Sequence, residues 1–221
     1  MPHFNLRYFL ETVGQKRGDA VFIAQIGALD GKTFDPVHEY ITRFNWNGII
    51  LEPIKEHFEK LQTTYQGNDR LTLVNTAIGE KDGTAIMHRI SNEDIKNERV
   101  PKWGPGLASL YTDRNALAFD EVKEFVMTEE VKCMTLASLL AQHKVQQIDV
   151  LQIDAEGHDY HILKQLDFNT FMPMVINLEI VNLPKGEQTA CKKLLDEHGY
   201  LHTKAGYDLL AVSPKFFREF V

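Results

Sequence analysis

The sequence is poor in cysteine, with only Cys133 and Cys191 among 221 residues. Two cysteines cannot build a disulfide framework, and their spacing matches no metal-ligand pair, so we expect buried free thiols. Long apolar runs are also missing, since no window approaches the roughly 18 apolar residues of a membrane span. Residues 1–7 lack the basic and apolar segments of a signal peptide. These absences predict a soluble, cytoplasmic protein.

Positive charge is scarce as well. Lysine and arginine number 24 against 31 aspartate and glutamate residues, and the net charge is -7. A general nucleic-acid binder needs a basic footprint, so we expect no nucleic-acid partner. The content of 43% hydrophobic and 25% charged residues is ordinary for a globular chain and excludes an intrinsically disordered one.

Apolar segments of strand length alternate with amphipathic segments through most of the chain. Residues 20–26 and 48–51 are nearly continuous apolar runs, typical of strands buried on both faces. Further strands are predicted at 71–78, 84–90 (at or near an edge), 130–134, 148–153 and 175–180, and helices at 54–65, 136–140, 158–166 and 187–198, with another helix starting near Asp35-Pro36. This alternation predicts an α/β fold with a mostly parallel, doubly wound sheet. Residues 200–204 and 209–212 flank a compact turn and predict a C-terminal hairpin with one antiparallel strand.

Residues 91–120 interrupt the alternation. The segment is rich in proline and glycine around position 104, and much of it is polar. A stretch of this length without periodicity is usually functional or mobile, so we predict a lid or substrate loop, with a plain surface excursion as the alternative. We expect one domain over residues 1–221, with a helical lead-in over 1–19.

The strand ends are the places to search for a site, because ligands of parallel sheets bind beyond the carboxyl ends of the strands. After the first strand, Gly27 and Gly31 allow the backbone to approach a ligand closely, although a purely structural tight turn is the alternative. Three residues rather than four separate Gly27 from Gly31-Lys32, which excludes a triphosphate-binding loop. Leu29 and Lys32 break the dinucleotide fingerprint, which disfavours a nicotinamide-dependent oxidoreductase.

Polar residues follow the next two predicted strands. Glu52 lies 21 residues beyond Gly31, where an acid can accept both hydroxyl groups of a ribose. It could instead be an N-terminal acid that the helix dipole favours. Asn75 and Ile78 suit an adenine pocket, the first by hydrogen bonding and the second by stacking, or they form an ordinary strand end. The loop and Glu52 together predict a nucleoside site.

Four titratable side chains follow the predicted strand at 148–153, and they are Asp154, Glu156, His158 and Asp159. Because an isolated buried carboxylate is costly, we expect these groups to face solvent, a ligand or a metal. The next strand ends in Asn177 and Glu179, which share a face by the period of two and could point into the same cleft. A structural hydrogen bond is the alternative for Asn177.

Together these segments resemble the FkbM family of methyltransferases that use S-adenosylmethionine. The resemblance covers residues 20–212 and is carried by IGALDG (26–31), Glu52-Pro53, NTAIG (75–79) and IDVLQIDAEGHDYHIL (148–163). Gln25, Leu29, Gln152 and Asp159 stand where the family commonly has Asp, Asn, Lys and Glu. The first three departures motivate an alternative, a binding or scaffold protein that kept the fold and lost catalysis.

The resemblance implies a Rossmann-like class I methyltransferase of about seven strands that methylates a hydroxyl on a sugar or natural-product acceptor. It also implies the cofactor residues, which are Gln25, Gly27, Ala28, Asp30 and Gly31 at the methionine end, Glu52 at the ribose, Asn75 and Ala77 near the adenine, and Asp154 toward the sulfonium and the acceptor.

The acceptor hydroxyl must lose its proton during such a transfer. A divalent metal can lower the pKa of the hydroxyl. Asp154 with Glu179 could ligate Mg²⁺, with Asn182 a less certain third group. Without a metal, a general base is needed, and His158, Glu156 or Glu179 are the candidates in that order.

The acceptor itself is predicted only as a small molecule or a glycan. Trp103 and Tyr111 could stack on a sugar face or pack in the interior. Arg89, Lys102 and Arg114 could receive an anionic substrate or be solvated.

Overall fold

The structure is a computed structural model that describes residues 4–221. Its helices are α1 (Leu6–Arg17), α2 (His38–Phe44), α3 (Lys55–Thr64), α4 (Asn92–Lys96), α5 (Leu136–Gln142), α6 (Asp159–Leu163), α7 (Lys185–Glu197) and α8 (Pro214–Phe220). Its strands are β1 (Phe22–Ile26), β2 (Asn47–Leu51), β3 (Leu71–Val74), β4 (Ala77–Ile78), β5 (Gly83–Ile90), β6 (Ala108–Ser109), β7 (Val126–Met134), β8 (Val150–Ile153), β9 (Val175–Glu179), β10 (Leu201–Ala205) and β11 (Asp208–Val212). Part of the segment searched for a signal peptide, residues 1–3, lies outside the described residues.

A seven-stranded sheet in the order β10-β11-β9-β8-β1-β2-β3 organises the molecule. Neighbouring strands from β9 to β3 pair in parallel, whereas β11 pairs antiparallel with both β9 and β10. The prediction of a mostly parallel sheet of about seven strands with a C-terminal antiparallel hairpin is confirmed.

Apolar cores cover both faces of this sheet. Successive strand residues point to opposite faces, so Ile23 and Ala24 of β1 enter different cores. Ile23 packs in a cluster with residues of α1, α2 and α8, and Ala24 in a cluster with residues of α5, α6 and α7. The near-continuous apolar runs of the sequence therefore reflect burial on both sides, as predicted.

The predicted strand at 71–78 is wrong as a single element. It divides into β3 in the main sheet and β4 in a second sheet of order β4-β7-β5-β6. The break occurs at Asn75 and Thr76, where the Asn75 side chain donates to the carbonyl oxygens of Glu52 and Pro53. These hydrogen bonds hold Asn75 against the residues that follow β2. The chain therefore leaves the main sheet after Val74.

The second sheet bears on two other strand predictions. β5, expected at or near an edge, lies next to the two-residue edge strand β6, which confirms the prediction, and it pairs antiparallel with β6 and with β7. β7 covers nine residues, Val126–Met134, where the sequence indicated only 130–134. Its first half is polar or half-buried, so no apolar alternation marks it.

The segment 91–120 is ordered around short elements of its own. It contains α4, β6 and two single 3₁₀ turns, at Gly104–Gly106 and Ala116–Ala118. Leu107 and Leu117 pack with Ile90 and Val122 in a small separate apolar cluster. This cluster packs the segment against the end of β5 in the second sheet.

Several smaller expectations are settled by burial and helix length. Cys133 and Cys191 are buried free thiols, as predicted. Every helix within residues 4–221 is too short or too polar to cross a membrane. α8 was not predicted, although Ser213-Pro214 is a typical helix start and the Ser213 side chain accepts from the backbone N–H of Phe216.

Candidate active site

One cavity of about 470 Å³ opens at the carboxyl ends of the parallel strands. This size is typical of small-molecule sites, and its position is the one expected for parallel sheets. The predicted site residues that line it are Gln25, Gly27, Ala28, Glu52, Ala77, Asp154, Glu156, His158 and Glu179. The tertiary structure therefore brings most of the predicted site into a single wall.

The glycine loop after β1 packs directly against the turn after β8. Gly27 has a positive φ of 81°, and a Cβ atom there would lie 1.8 Å from the carbonyl oxygen of Asp154. The backbone N–H groups of Gly27 and Ala28 donate to the carbonyl oxygen of Leu51, at 3.1 and 3.0 Å. Glycine is thus required at position 27 both by its φ and by the close approach of the two turns.

Glu52 ties this loop to the start of α3. Its carboxylate accepts from the backbone N–H of Leu29 at 2.9 Å and from that of Ile54 at 2.8 Å. The side chain is almost fully buried and still lines the cavity. Both interpretations of Glu52 are therefore compatible, because a carboxylate oxygen has a second lone pair after it accepts one backbone hydrogen bond.

Three predicted cofactor residues, Asp30, Gly31 and Asn75, are not among the residues that line the cavity. The Asp30 carboxylate accepts from the backbone N–H groups of Lys32 and Thr33 and so closes a turn. A Cβ on Gly31 would meet side chains of α3 and its end. With Asn75 bound to backbone oxygens, all three shape the site indirectly.

A row of three buried amides crosses the sheet beside the cavity, and two of them, Gln25 and Gln152, line it. Gln25, Gln152 and Asn177 are register neighbours on β1, β8 and β9. The Asn177 amide donates to Gln152 and to Asp208, which supports its structural alternative. The Gln25 amide donates to Asp35, but its oxygen Oε1 is buried without a hydrogen-bond partner. Because buried polar atoms are usually paired, Gln25 Oε1 indicates a missing donor.

Three carboxyl groups gather at the strand ends, and we call Asp154, Glu156 and Glu179 the acidic cluster. Each offers an oxygen within 4.8 Å of the others. The amide of Asn182 donates to both Glu156 and Glu179, at 2.8 and 2.7 Å. Burial first, and then the charges of neighbouring carboxylates, raises the pKa of all three groups above their usual range.

Asp159 differs from the other acids of this turn because it has no access to solvent. Its carboxylate accepts from the backbone N–H groups of Ala155 and Gly157, both at 3.1 Å. Burial raises the pKa of Asp159 to about 6 despite these hydrogen bonds. Asp159 thus holds the shape of the turn that presents the acidic cluster.

His158 lines the cavity with an imidazole that is nearly buried. Its Nδ1 lies 3.0 Å from the hydroxyl of Tyr111, whereas Nε2 has no hydrogen-bond partner. Its ring stacks on that of His161, with centroids 4.9 Å apart. Burial first, and then the charge of His161, lowers the pKa of His158 to about 4, so the ring is neutral at pH 7.

The segment 91–120 is fastened to the turn that carries His158. The side chains of Ser109 and Asn115 donate to the carbonyl oxygen of Glu156, at 2.7 and 3.1 Å. Glu156 itself has a positive φ of 50°, so these bonds stabilise an uncommon conformation. The segment also contributes apolar residues to the cavity, including Trp103 and Leu107.

Other cavity residues were not predicted, and they are Thr33, Phe34, Asp35, His57, Met87, Tyr207 and Asp208. A signal existed for the last two. Because β11 runs opposite to the parallel strands, its first residue lies at the edge where those strands end. Thr33, Phe34 and Asp35 come from a loop whose course the sequence pattern does not specify. His57 lies on α3 and Met87 on β5, which belongs to the second sheet.

A family model, the Methyltransferase FkbM domain, matches residues 25–209 of the chain. A search of curated proteins found no match. Solved structures are similar at low identity. The chain resembles precorrin-6y C5,15-methyltransferase from Geobacter metallireducens GS-15 with 12% identity and a TM-score of 0.46, over 93% of this chain and 84% of that chain. It resembles an O-methyltransferase from Bacillus cereus in complex with SAH with 12% identity and a TM-score of 0.48, over 96% and 84%. It resembles a METTL16 MTase domain with 13% identity and a TM-score of 0.49, over 96% and 69%.

Proposed function

The chain belongs to the FkbM methyltransferase domain family, and from that premise we propose that it transfers a methyl group from S-adenosylmethionine to a hydroxyl of a sugar or natural-product acceptor. One observation carries the proposal. A single cavity collects the glycine loop after β1, the acid after β2 and the acidic cluster beyond β8 and β9. The glycine loop and Glu52 would hold the cofactor, and the acidic cluster beside them would accept the proton.

The residues around the glycine loop fit the cofactor. Backbone at Gly27 and Ala28 borders the cavity without a side chain in the way, and Glu52 can still accept hydroxyl protons of a ribose. The unpaired Gln25 Oε1 is an acceptor suited to the ammonium group of the methionine end. Ala77, with its neighbours on β4, would border the adenine. When bound, S-adenosylmethionine supplies an activated methyl group, whose S–C bond breaks as the new O–C bond forms.

The acidic cluster would receive the proton of the acceptor hydroxyl. A general base works best with a pKa near the operating pH, and burial raises the pKa of these carboxyl groups toward or beyond neutrality. His158, with its pKa lowered to about 4, is a poorer base than expected from the sequence. Its imidazole, held at Nδ1 by the Tyr111 hydroxyl, would instead form part of the surface that positions the acceptor. The cluster titrates as a unit, so no single carboxyl is named as the base.

The predicted magnesium site stays a prediction. Oxygen atoms of Asp154, Glu156 and Glu179 lie close enough together to share one hard cation. Asn182, the less certain third ligand of the sequence prediction, donates its amide N–H to Glu156 and Glu179. The third oxygen ligand of such a site would therefore come from Glu156. In the proposed mechanism the carboxylates hold the proton without a metal.

A binding experiment tests the cofactor assignment. We expect calorimetric titration to show S-adenosylmethionine binding to the wild type and weaker binding to Glu52→Gln and Glu52→Ala. Glu59→Ala, an exposed acid on α3, is the matched control and should bind normally. Equal binding by all variants would remove Glu52 from the ribose site, and no binding by the wild type would overturn the proposed function. Binding without transfer to any hydroxyl acceptor would favour the scaffold alternative.

A further inference from the structure

The cavity wall is strongly acidic. Six carboxyl side chains line it, and they are Asp35, Glu52, Asp154, Glu156, Glu179 and Asp208. Among residues 4–221, no lysine or arginine lines this cavity. A wall that gathers carboxyl groups in low-dielectric surroundings disfavours a further negative charge, even where those groups share protons. An anionic acceptor would find no lysine or arginine side chain in this wall as a partner.

The nearby arginines do not supply that cation. Arg89 pairs with Glu129 at 2.6 Å and also donates to Asn92. Arg114 pairs with Glu187 at 3.2 Å, and its guanidinium lies 3.8 Å from the centre of the Tyr111 ring. Both side chains are therefore engaged by partners outside the cavity wall. This removes two of the three positions that the sequence indicated for an anionic substrate.

Aromatic side chains stand at the cavity with much of their surface uncovered. Phe34 is 76% exposed and Tyr207 is 72% exposed, and both line the cavity together with Trp103. Large aromatic surface left open beside a cavity is a typical ligand contact, because covering it releases water from apolar area.

The backbone supports these aromatic side chains. The carbonyl oxygen of Tyr207 accepts from the N–H groups of Ile180 and Val181, at 2.9 and 3.2 Å, so the hairpin turn is anchored to the end of β9. The Trp103 ring meets that of Phe119 edge-on, with centroids 6.3 Å apart. Phe34 has a φ of 58°, and such conformations are concentrated at ligand clamps.

We propose that the acceptor is an uncharged, hydroxyl-bearing ring compound whose apolar face lies on Phe34, Trp103 and Tyr207. Its hydroxyl groups would then donate to the carboxylates of the wall. This inference rests on the proposed function and specifies its substrate class. It excludes acceptors with a carboxylate or phosphate, which would be forced against the acidic wall.

Matched pairs of neutral and anionic acceptors test whether the acceptor must be uncharged. The probes are methyl glucoside against methyl glucuronoside and glucoside 6-phosphate, and catechol against 3,4-dihydroxybenzoate, each with S-adenosylmethionine and mass detection of the methylated product. We expect the neutral member of a pair to be methylated at least about tenfold faster, because like charges facing each other are unfavourable. Faster or equal methylation of the anionic member would overturn the inference and leave the proposed function intact.

Two further outcomes distinguish a wrong acceptor class from a failure of the proposed methyltransferase function. If S-adenosylmethionine binds but no neutral probe is methylated, the proposed acceptor class is wrong. If S-adenosylmethionine does not bind, the proposed function itself fails.

Variants test the aromatic contacts on whichever neutral probe is methylated. We expect Tyr207→Ala to raise the KM for the acceptor about tenfold while the Kd for S-adenosylmethionine stays within about twofold, since aromatic anchors contribute strongly to binding. Tyr8→Ala, an exposed tyrosine on α1 outside the cavity, is the control. An unchanged acceptor KM in both Tyr207→Ala and Phe34→Ala would remove the aromatic contacts from the inference.

Discussion

The hydroxyl of Tyr111 lies 3.0 Å from Nδ1 of His158, so a residue of segment 91–120 orients an imidazole on the turn after β8. The Arg114 guanidinium covers the Tyr111 ring and also donates to the carbonyl oxygen of Gly157. The segment therefore contributes to the candidate site in two ways: it supplies part of the cavity wall, and it holds the His158 imidazole in place.

Removal of the Tyr111 hydroxyl should impair turnover and not cofactor binding. We expect Tyr111→Phe to lower kcat about tenfold, the rate equivalent of one lost hydrogen bond of roughly 1.4 kcal/mol. Steady-state kinetics and calorimetric titration of S-adenosylmethionine measure the two effects. Tyr8→Phe is the control. If Tyr111→Phe still lowers kcat in a His158→Ala background by the same factor, the hydroxyl does not act through His158.

The contact between Gly27 and Asp154 should make position 27 intolerant of any side chain. Gly27→Ala forces a Cβ against a backbone carbonyl at a positive φ, so we expect a loss of at least about 2 kcal/mol in unfolding free energy and weaker cofactor binding. Gly186→Ala, in α7, is the matched control, because a Cβ there meets nothing within 4 Å. Urea unfolding of both variants checks this. A Gly27→Ala protein as stable as Gly186→Ala would contradict the close approach.

The raised pKa values of the acidic cluster predict how stability depends on pH. A folded state that binds protons more tightly than the unfolded chain is stabilised at low pH and loses that stability as the pH rises from the unfolded pKa toward the folded one. We therefore expect the ligand-free protein to melt at a lower temperature at about pH 8.5 than at about pH 5.5.

Removing one charge isolates this effect. Glu179→Gln should gain stability of the order of 1–3 kcal/mol at the higher pH, because each pKa unit corresponds to about 1.4 kcal/mol. Glu130→Gln, an exposed acid on β7, is the control and should leave the pH profile unchanged. If Glu179→Gln and Glu130→Gln melt alike at both pH values, Glu179 does not contribute this pH dependence.

Activity variants distinguish proton transfer from metal catalysis. We expect Glu156→Gln to lower kcat by about 10²–10⁴, the usual contribution of general acid–base catalysis, and to keep S-adenosylmethionine binding. Turnover of the wild type should survive exhaustive chelation. Loss of turnover with EDTA and recovery with Mg²⁺ would instead assign the acidic cluster to a metal.

The fold was largely predictable because burial on both faces leaves a direct mark on the sequence. Residues 20–26 and 48–51 are nearly continuous apolar runs, and they contain β1 and most of β2, which are neighbours in the main sheet. The prediction failed at 71–78, where the same apolar pattern continues across a change of sheet. A hydrogen bond from Asn75 to a distant backbone caused that break, and periodicity does not report such contacts.

The candidate site was predictable only where residues follow strands directly. Glu52, Asp154 and Glu179 could be assigned to one edge because parallel strands end together. Asp30 and Asn75 have equally suitable chemistry and positions, but their side chains form hydrogen bonds with backbone groups of the protein itself. Tyr207 was missed because it belongs to a turn that reaches the edge from an antiparallel strand.

By itself, the amino-acid sequence determined the class of fold, the family and the edge of the sheet where the candidate site lies, because these depend on local periodicity and on short motifs. Only the tertiary structure decided how the acids are used. It buried Asp159 as a support for its turn, gathered Asp154, Glu156 and Glu179 into one cluster, and paired Arg89 and Arg114 with carboxylates outside the cavity. Charge, burial and pKa depend on neighbours that are distant in the sequence, so they become defined only when the chain has folded.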